Sequence, residues 1–345
     1  LLVCLPIGAF MDASTLLRRT KFWKNLEKVK LIGLDMSDSF KQTVLRCFES
    51  LLPIMSNPGY ELDMYHKVRS LFVDLGFVDV GLPLSDREYR INKSIGGDDT
   101  VYKRNSPNLG LSYRGNGSAT YVFNAHLDHY FAGTITTELV QKGEWLCARG
   151  DILGADCKMG IAIIYAWVKE MLGRHSCCNI DLIFDTCEEA GLIGMLEFIN
   201  HKHYTLMPFM DQYKRGNPVY CYSLDGLWDT KWGDSLGYYV TRNNAMTLAW
   251  QQMSREDGKI CVVEGKQIRW RNLSKKEKQF IMTLRKVSDL SLERIRAMSY
   301  GAGFVLLSKL IPCVMLPVGF IDCHTPQERY GLNYLPALDI AKLFV

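Results

Sequence analysis

Three short apolar segments of this sequence lead directly into residues that can bind a cation or move a proton. ATYVFNA, NIDLIFDT and PVYCYSL precede His126, Glu188 and Asp225 by no more than one residue. Short apolar runs of this kind predict buried strands, and residues 158–172 and 191–200 between them have the apolar spacing of helices. Strands that alternate with helices predict an α/β fold, here a three-layer α/β/α sandwich around a central mixed, mostly parallel sheet. In such folds, sites lie beyond the carboxyl ends of the strands.

The chain is long enough for one large domain or two modest ones, at 345 residues. Residues 1–36 show no clear pattern and are interpreted as an N-terminal extension. Helices are predicted from Ser39 to about Leu52 and from Tyr60 to Leu75, where Gly76 ends the second one. We therefore expect residues 37–345 to form a single catalytic domain.

The composition is that of an ordinary globular protein and excludes several classes of partner. The formal net charge of +4 is too small to indicate nucleic acid or an acidic membrane surface, and the basic run at 275–278 is interpreted as solvated. The first ten residues are apolar but far short of the roughly 20 that cross a bilayer. The 11 cysteines have no framework spacing, which favours reduced thiols and a cytoplasmic location.

Five segments carry the candidate chemistry, each lying just after a predicted strand or in a loop. They are AHLDHY (125–130), LGADCKMG (153–160), TCEEAGLIG (186–194), SLDG (223–226) and DCHTPQE (322–328). Taken singly, each is weak, because a His-x-Asp or a Glu-Glu pair is usually a solvated or structural feature. Together, their imidazoles and carboxylates form a mixed nitrogen and oxygen ligand set that suits Zn²⁺, although Mn²⁺ or Co²⁺ would also fit.

The order and flanking residues of these segments resemble the dinuclear zinc exopeptidase superfamily of aminopeptidases, carboxypeptidases and related amidohydrolases. LGADCKMGIAI, FDTCEEAGLIGM and CHTPQE are similar to three of its motifs, and SNPGYE at 56–61 is similar to its N-terminal region. The resemblance covers roughly residues 40–345.

The resemblance implies a role for each matching residue and a centre of two divalent metal ions. Asp156 would bridge the metals, His126 and Asp225 would complete one site, and Glu189 and His324 the other. Asp128 would accept the second ring N–H of His126 and so orient it. Glu188 would be the general base.

The resemblance also bears on the substrate, although it assigns no substrate-binding residue. Relatives of the carboxypeptidase-like branch carry a lid domain, for which the stretch between Asp225 and His324 leaves little room. A lid-less arrangement favours recognition of a free N-terminus, so we expect an aminopeptidase or di/tripeptidase that acts on short peptides. A lid-less catalytic domain is also compatible with a homo-oligomer. A deacylase of acylated amino acids and an inactive scaffold subunit are the alternatives.

Three further residues near the motifs have a structural interpretation as well as a functional one. His129 follows Asp128 and is within reach of a substrate, but a structural role is the simpler expectation. Cys157 and Cys323 lie beside ligands, and we expect them to be small packing residues rather than thiolate ligands.

Overall fold

The computed structural model describes most of the chain between residues 39 and 335. The described residues are 39–85, 88–91, 100–130, 138–149, 152–174, 178–225, 239–240, 260–263, 266–269, 304–307, 310–311, 313–316, 318–332 and 335.

Six α-helices and fifteen strands lie within these ranges. The helices are α1 (Ser39–Leu51), α2 (Leu62–Val73), α3 (Ala155–Gly173), α4 (Ile193–Asn200), α5 (Pro208–Lys214) and α6 (Phe304–Leu307), with a 3₁₀ turn at His203–Leu206. The strands are β1 (Val78–Asp79), β2 (Glu88–Ile91), β3 (Thr100–Lys103), β4 (Leu109–Tyr113), β5 (Thr120–His126), β6 (Leu139–Lys142), β7 (Trp145–Ala148), β8 (Asn179–Asp185), β9 (Val219–Leu224), β10 (Tyr239–Val240), β11 (Ile260–Val263), β12 (Lys266–Arg269), β13 (Cys313–Leu316), β14 (Phe320–Ile321) and β15 (Arg329–Gly331).

The main sheet has seven strands in the order β1-β4-β8-β5-β9-β13-β10. Its four central strands, from β8 to β13, run parallel, whereas the strands at both edges pair antiparallel. Every residue of β8 is buried, as expected of a strand covered on both faces. The predicted mixed sheet is therefore confirmed, with its parallel pairing concentrated at the centre.

Alternate residues of the central strands face two separate apolar layers. Phe123 packs in a core with the buried faces of α1, α2 and α3, whereas its neighbour Val122 packs in a second core with α4, α5 and α6. Successive side chains of a strand point to opposite faces, so these two cores place helices on both sides of the sheet. The predicted α/β/α sandwich is confirmed.

A second sheet of four strands, in the order β14-β15-β7-β6, brings the C-terminal motif back beside the main sheet. Tyr330 of β15 is fully buried in the same core as Phe123. The loop between β14 and β15, which carries His324 and Glu328, is anchored by this pairing.

Several predictions concern residues that lie outside the described ranges. These are the N-terminal extension at 1–36, the basic run at 275–278 and most of the stretch after Asp225 in which a lid would be inserted. The single catalytic domain over 37–345 therefore stays a prediction. Within the described part of the chain, none of the helices combines the length and apolar character that crossing a membrane requires.

Candidate active site

The candidate residues collect at the carboxyl ends of three neighbouring parallel strands. His126 is the last residue of β5, Glu188 and Glu189 follow the end of β8, and Asp225 follows β9. Because β8, β5 and β9 are adjacent and parallel, their carboxyl ends meet at one edge of the sheet.

One carboxylate, that of Asp156, faces both candidate imidazoles. Its Oδ1 lies 3.0 Å from Nε2 of His126, and its Oδ2 lies 3.2 Å from Nε2 of His324. Each oxygen of a single side chain is thus paired with a different ring.

The other two acidic residues expected to be ligands divide between the two rings. Oδ1 of Asp225 lies 3.8 Å from Nε2 of His126, and Oε1 of Glu189 lies 2.7 Å from Nε2 of His324. The structure therefore places His126 with Asp225 and His324 with Glu189, with Asp156 between the two pairs.

Local backbone geometry presents Asp156 to the centre. Asp156 and Cys157 have non-helical dihedral angles inside the first turn of α3, and the peptide bond between them is cis. Gly154, just before them, has a φ of +65°, a conformation that a residue without Cβ adopts without steric cost. The first residues of α3 thus depart from regular helix geometry at Asp156, whose carboxylate faces the two imidazoles.

The imidazoles of the centre are held in a strongly anionic environment. Burial by itself would lower the pKa of His126, but the nearby Cys157, Asp128 and Asp156 groups raise that pKa well above its usual value. Burial also opposes charge on His324, yet its hydrogen bonds to Asp156 and Glu189 raise its pKa to about 10.

The acidic side chains divide into one that ionises readily and others that resist ionisation. Burial opposes charge on Asp156, but its hydrogen bonds to the two imidazoles lower its pKa to about 2. Burial raises the pKa of Glu188 well above its usual value, and the charges of Asp225 and Glu189 add to this effect against the opposing one of His126. Because burial and mutual repulsion oppose the charged forms of these neighbouring carboxylates, a divalent cation among them would favour their ionisation.

The donor spacing fits a pair of small divalent ions. A tetrahedral ion with ligands at about 2.1 Å has donor atoms about 3.4 Å apart. The four imidazole–carboxylate distances in the centre range from 2.7 to 3.8 Å. Ligand atoms of His126, Asp156 and Asp225, and likewise of His126, Glu188 and Glu189, lie within 4.8 Å of one another. A third group of this kind joins Asp156 to His324 and Cys323, so Asp156 belongs to two of the three groups among the described residues that could hold a cation.

Both cysteines beside the ligands have raised thiol pKa values. Sγ of Cys157 donates to the carbonyl oxygen of Leu224 across 2.9 Å, and burial raises its pKa well above the usual range. Burial, followed by the charge of Asp156, also raises the pKa of Cys323. Both sulfur atoms lie within 4.8 Å of candidate ligand atoms, Cys157 beside His126 and Asp225, and Cys323 beside His324. The expectation that they are packing residues therefore stays a prediction.

The side chain of Asp128 makes different contacts from those expected. Nδ1 of His126 bonds to the main-chain carbonyl of Asp128 at 2.8 Å, whereas the nearer carboxylate oxygen is 3.6 Å away. That carboxylate accepts the backbone N–H groups of Glu188 and Glu189 instead, each at 3.0 Å. The main chain thus fixes the imidazole, and the side chain is free to hold the segment that carries the two glutamates.

His129 has the structural surroundings that the sequence favoured. The residue is 4% exposed, and its Nδ1 lies 3.0 Å from the hydroxyl of Ser56.

Tyr130, the next residue, is 45% exposed, and its ring stacks on that of His324 with the centroids 4.7 Å apart. Tyr130, which the sequence did not single out, therefore lies at the opening of the centre.

Other buried polar residues around the centre also escaped sequence reasoning. Both carboxylate oxygens of Glu328 accept backbone N–H groups of the turn before α3, from Gly154 and Asp156. Nζ of Lys158 donates to the carbonyl oxygens of Leu52 and Ile54. The sequence signal for Glu328 was its place in CHTPQE, but a motif does not reveal what the side chain contacts.

The fold is similar to those of several solved peptidase structures. A tripeptidase from Staphylococcus aureus subsp. aureus Mu50 superposes with a TM-score of 0.59 at 16% identity, covering 88% of this chain and 97% of that chain. The aminopeptidase PepT from Bacillus cereus ATCC 10987 superposes with a TM-score of 0.56 at 15% sequence identity, and the match covers 88% of this chain and 98% of that chain. An aminopeptidase from the archaeon Desulfurococcus kamchatkensis superposes with a TM-score of 0.51 at 13% identity, covering 89% of this chain and 95% of that chain. The chain has an aminopeptidase fold.

The aminopeptidase fold confirms the structural part of the resemblance seen in the sequence. No protein-family model and no curated protein sequence matches this chain. At these low identities the likeness concerns the fold alone, and the chemistry depends on the residues that the fold brings together.

Proposed function

We propose that the protein is a metallopeptidase that releases N-terminal residues from short peptides. The observation that carries this proposal is the single carboxylate of Asp156, which lies within 3.2 Å of both His126 and His324. A carboxylate between two imidazoles, each with its own acidic neighbour, is an arrangement suited to two divalent cations, for which Zn²⁺ is our first choice.

The proposed ligands are Asp156 for both ions, His126 and Asp225 for one, and Glu189 and His324 for the other. Two bound cations would supply an activated water and polarise the scissile carbonyl of a peptide. The five proposed ligands would hold the two cations in place. Glu188 is not among these ligands and is therefore available for proton transfer.

Glu188 is proposed as the general base. Its pKa is raised well above the usual value for a carboxyl group, first by burial, which suits a residue that must take up and return a proton near neutral pH. In the reaction, Glu188 would accept a proton from the attacking water and deliver it to the nitrogen of the leaving amine. Its backbone is fixed by the hydrogen bond from its N–H to Asp128.

A free N-terminus is the proposed recognition element. The solved structures with the same fold include an aminopeptidase and a tripeptidase, which favours short unblocked peptides over other amides. The proposed single domain over residues 37–345, without an inserted lid, favours the same class.

We also propose a homo-oligomer. One structure of this fold, the TET1 peptidase of Pyrococcus horikoshii, can assemble into a tetrahedron or a large octahedral shell. The free cysteines among the described residues favour the cytoplasm as its compartment.

The test uses the purified chain loaded with Zn²⁺, Mn²⁺ or Co²⁺ and a panel of substrates. The panel contains di-, tri- and tetrapeptides with free N-termini, the same peptides N-acetylated, and single N-acyl amino acids. We expect release of the first residue from the free peptides only. Hydrolysis of the acylated compounds alone would replace the peptidase by a deacylase, and metal-loaded protein inactive on all of them would support a scaffold.

A further inference from the structure

The segment that carries Glu188 and Glu189 is held by hydrogen bonds from its backbone N–H groups to side chains from other parts of the chain. Four consecutive backbone N–H groups, from Thr186 to Glu189, each donate to a side-chain oxygen. Thr186 donates to Asn108 at 3.2 Å, Cys187 to Glu61 at 2.9 Å, and Glu188 and Glu189 to the two oxygens of Asp128 at 3.0 Å each. Three acceptors from three different parts of the chain thus fix one turn.

Glu61 is the most unusual of these acceptors. It is the N-cap residue of α2, but its side chain makes no hydrogen bond to the first turn of that helix. Instead, Oε1 accepts the N–H of Gly59 and of Cys187, both at 2.9 Å, in a site where the residue is fully buried. The α2 segment is thereby joined to a turn more than a hundred residues later in the chain.

The environment of Glu61 is unfavourable for a carboxyl group that serves stability alone. Its Oε2 is buried and has no hydrogen-bond partner in the part of the chain that the structure describes. Burial, and then the nearby charge of Asp128, raise the pKa of Glu61 to about 7. A buried polar atom without a partner costs free energy, so such a residue calls for an explanation.

The contact with Glu61 explains the direction that the turn takes. Cys187 has a φ of +51°, the left-handed region that residues with a Cβ rarely adopt. At this residue the chain leaves β8 and turns so that Glu188 and Glu189 reach the centre. A hydrogen bond that holds the N–H of Cys187 stabilises this conformation at the position where the strain lies.

The opposite side of the turn is closed by close packing. A Cβ on Gly194 would lie 2.3 Å from the carbonyl oxygen of Thr186 and 2.4 Å from Oδ1 of Asn108, so only glycine fits there. Nδ2 of Asn108 donates to the carbonyl of Gly194 at 2.8 Å. Asn108 and Gly194 hold the ends of the turn. In its middle, the carbonyl oxygens of Cys187 and Glu188 accept backbone N–H groups of residues 191–193, whereas the N–H groups of Cys187 and Glu188 are held by the side chains of Glu61 and Asp128.

We infer that Glu61 is a positioning residue for the proposed general base, acting through the backbone of Cys187 to fix the direction of Glu188. This inference rests on the proposed function for its catalytic consequence, but not for the contact itself. Glu61 does not touch the reacting atoms, so its removal should change turnover through geometry.

The experiment compares Glu61→Ala and Glu61→Gln with a control variant, Val68→Ala, which removes buried volume from the same helix without touching the turn. Glu61→Ala should lower kcat about 10- to 100-fold, the range seen when residues that support a metal centre are removed, with less than about a threefold change in KM. Glu61→Gln should restore kcat to within about threefold of the unmodified protein, because its amide oxygen still accepts the N–H of Cys187. Val68→Ala should lower the melting temperature and leave kcat unchanged.

Hydrogen exchange gives a second measurement that does not need activity. Exchange in the peptide covering residues 186–189, followed by mass spectrometry, should be at least about tenfold faster in Glu61→Ala than in the Val68→Ala control. Equal exchange and equal kcat in these two variants, or a Gln variant no better than the Ala variant, would overturn the role of Glu61. An inactive unmodified protein whose exchange still responds to Glu61→Ala would remove the peptidase proposal and keep the contact.

Discussion

The carboxylate of Glu328 accepts a hydrogen bond from the backbone N–H of Asp156 across 3.1 Å. Its other oxygen accepts the N–H of Gly154 at 2.8 Å, so both oxygens hold the turn that directs the shared carboxylate. Glu328 is not one of the proposed ligands, but it holds the backbone of Asp156, whose carboxylate lies between His126 and His324.

The first prediction concerns Glu328→Gln. This change replaces one acceptor oxygen by an NH₂ group that faces a backbone N–H, so the turn before α3 should shift. We expect the affinity for Zn²⁺, measured by competition with a chromophoric chelator, to fall about 10- to 100-fold. Glu138→Gln, at an exposed ion pair with Arg149, is the matched control and should leave the affinity unchanged. Equal affinities in the two variants would contradict this prediction.

Removal of divalent metal should destabilise the protein. The centre brings together the carboxylates of Asp156, Glu188, Glu189 and Asp225, and cations reduce their mutual repulsion. Free metal at 100 times its dissociation constant stabilises the folded state by about 2.7 kcal/mol per site. We therefore expect dialysis against a chelator to lower the melting temperature and Zn²⁺ to restore it. Asp156→Asn should respond much less, and a melting temperature indifferent to metal in the unmodified protein would argue against a metal centre.

Glu188→Gln should separate catalysis from metal binding. If Glu188 is the base and not a ligand, its amide variant should bind as much metal as the unmodified protein, while kcat falls about 10²- to 10⁴-fold. His324→Ala, which removes a proposed ligand, should lose about one equivalent of metal by elemental analysis. If both variants lost metal equally, the roles assigned to Glu188 and Glu189 would have to be exchanged.

Replacement of one partner of the buried ion pair between Arg104 and Glu197 should lower the free energy of unfolding. Both side chains are almost fully buried and hydrogen-bonded to each other, and Arg104 also donates to Asn108. Arg104→Met removes the positive charge beside the buried carboxylate of Glu197, and we expect a loss of about 3–5 kcal/mol in the free energy of unfolding. Urea unfolding of this variant, of Glu197→Leu and of the double variant forms a cycle. A double variant as unstable as the sum of the single ones would show that the two residues do not interact.

Lys158 should stabilise the loop that precedes Ser56. Its buried Nζ donates to two main-chain carbonyls, those of Leu52 at 3.1 Å and Ile54 at 2.8 Å. Lys158→Met keeps the aliphatic chain and leaves these acceptors unpaired, at a cost of about 1–3 kcal/mol for each buried group. Lys169→Met, on the exposed side of the same helix, should change the unfolding free energy by less than about 0.5 kcal/mol in urea titrations. A similar effect of the two substitutions would argue against this role.

The strands and their terminal residues could be predicted from the sequence because their physics is local. A strand buried on both faces is mostly apolar, with few exceptions such as Asn124 in β5 and Asp181 in β8. The candidate residues His126 and Asp225 come where their strands end. Parallel pairing then places those ends together without any knowledge of long-range contacts. Predicted boundaries differed by a few residues, as for α2, predicted from Tyr60 and observed from Leu62.

The residues that support the centre could not be predicted, because their partners are main-chain atoms. Glu61 accepts the N–H of Cys187, and Glu328 accepts that of Asp156, and no side-chain pattern records a backbone donor far along the chain. Asp128 shows the same limit, since a sequence does not reveal that its carbonyl rather than its carboxylate bonds to His126. An acidic residue in a polar loop looks solvated until the fold buries it.

The two imidazoles differ sharply in their access to water. The side chain of His126 is 2% exposed, whereas that of His324 is 37% exposed beside the ring of Tyr130. Ions held at the two positions should therefore exchange with the solvent at unequal rates. A chelator added to the loaded protein should withdraw one equivalent quickly, from beside His324, and the second only slowly.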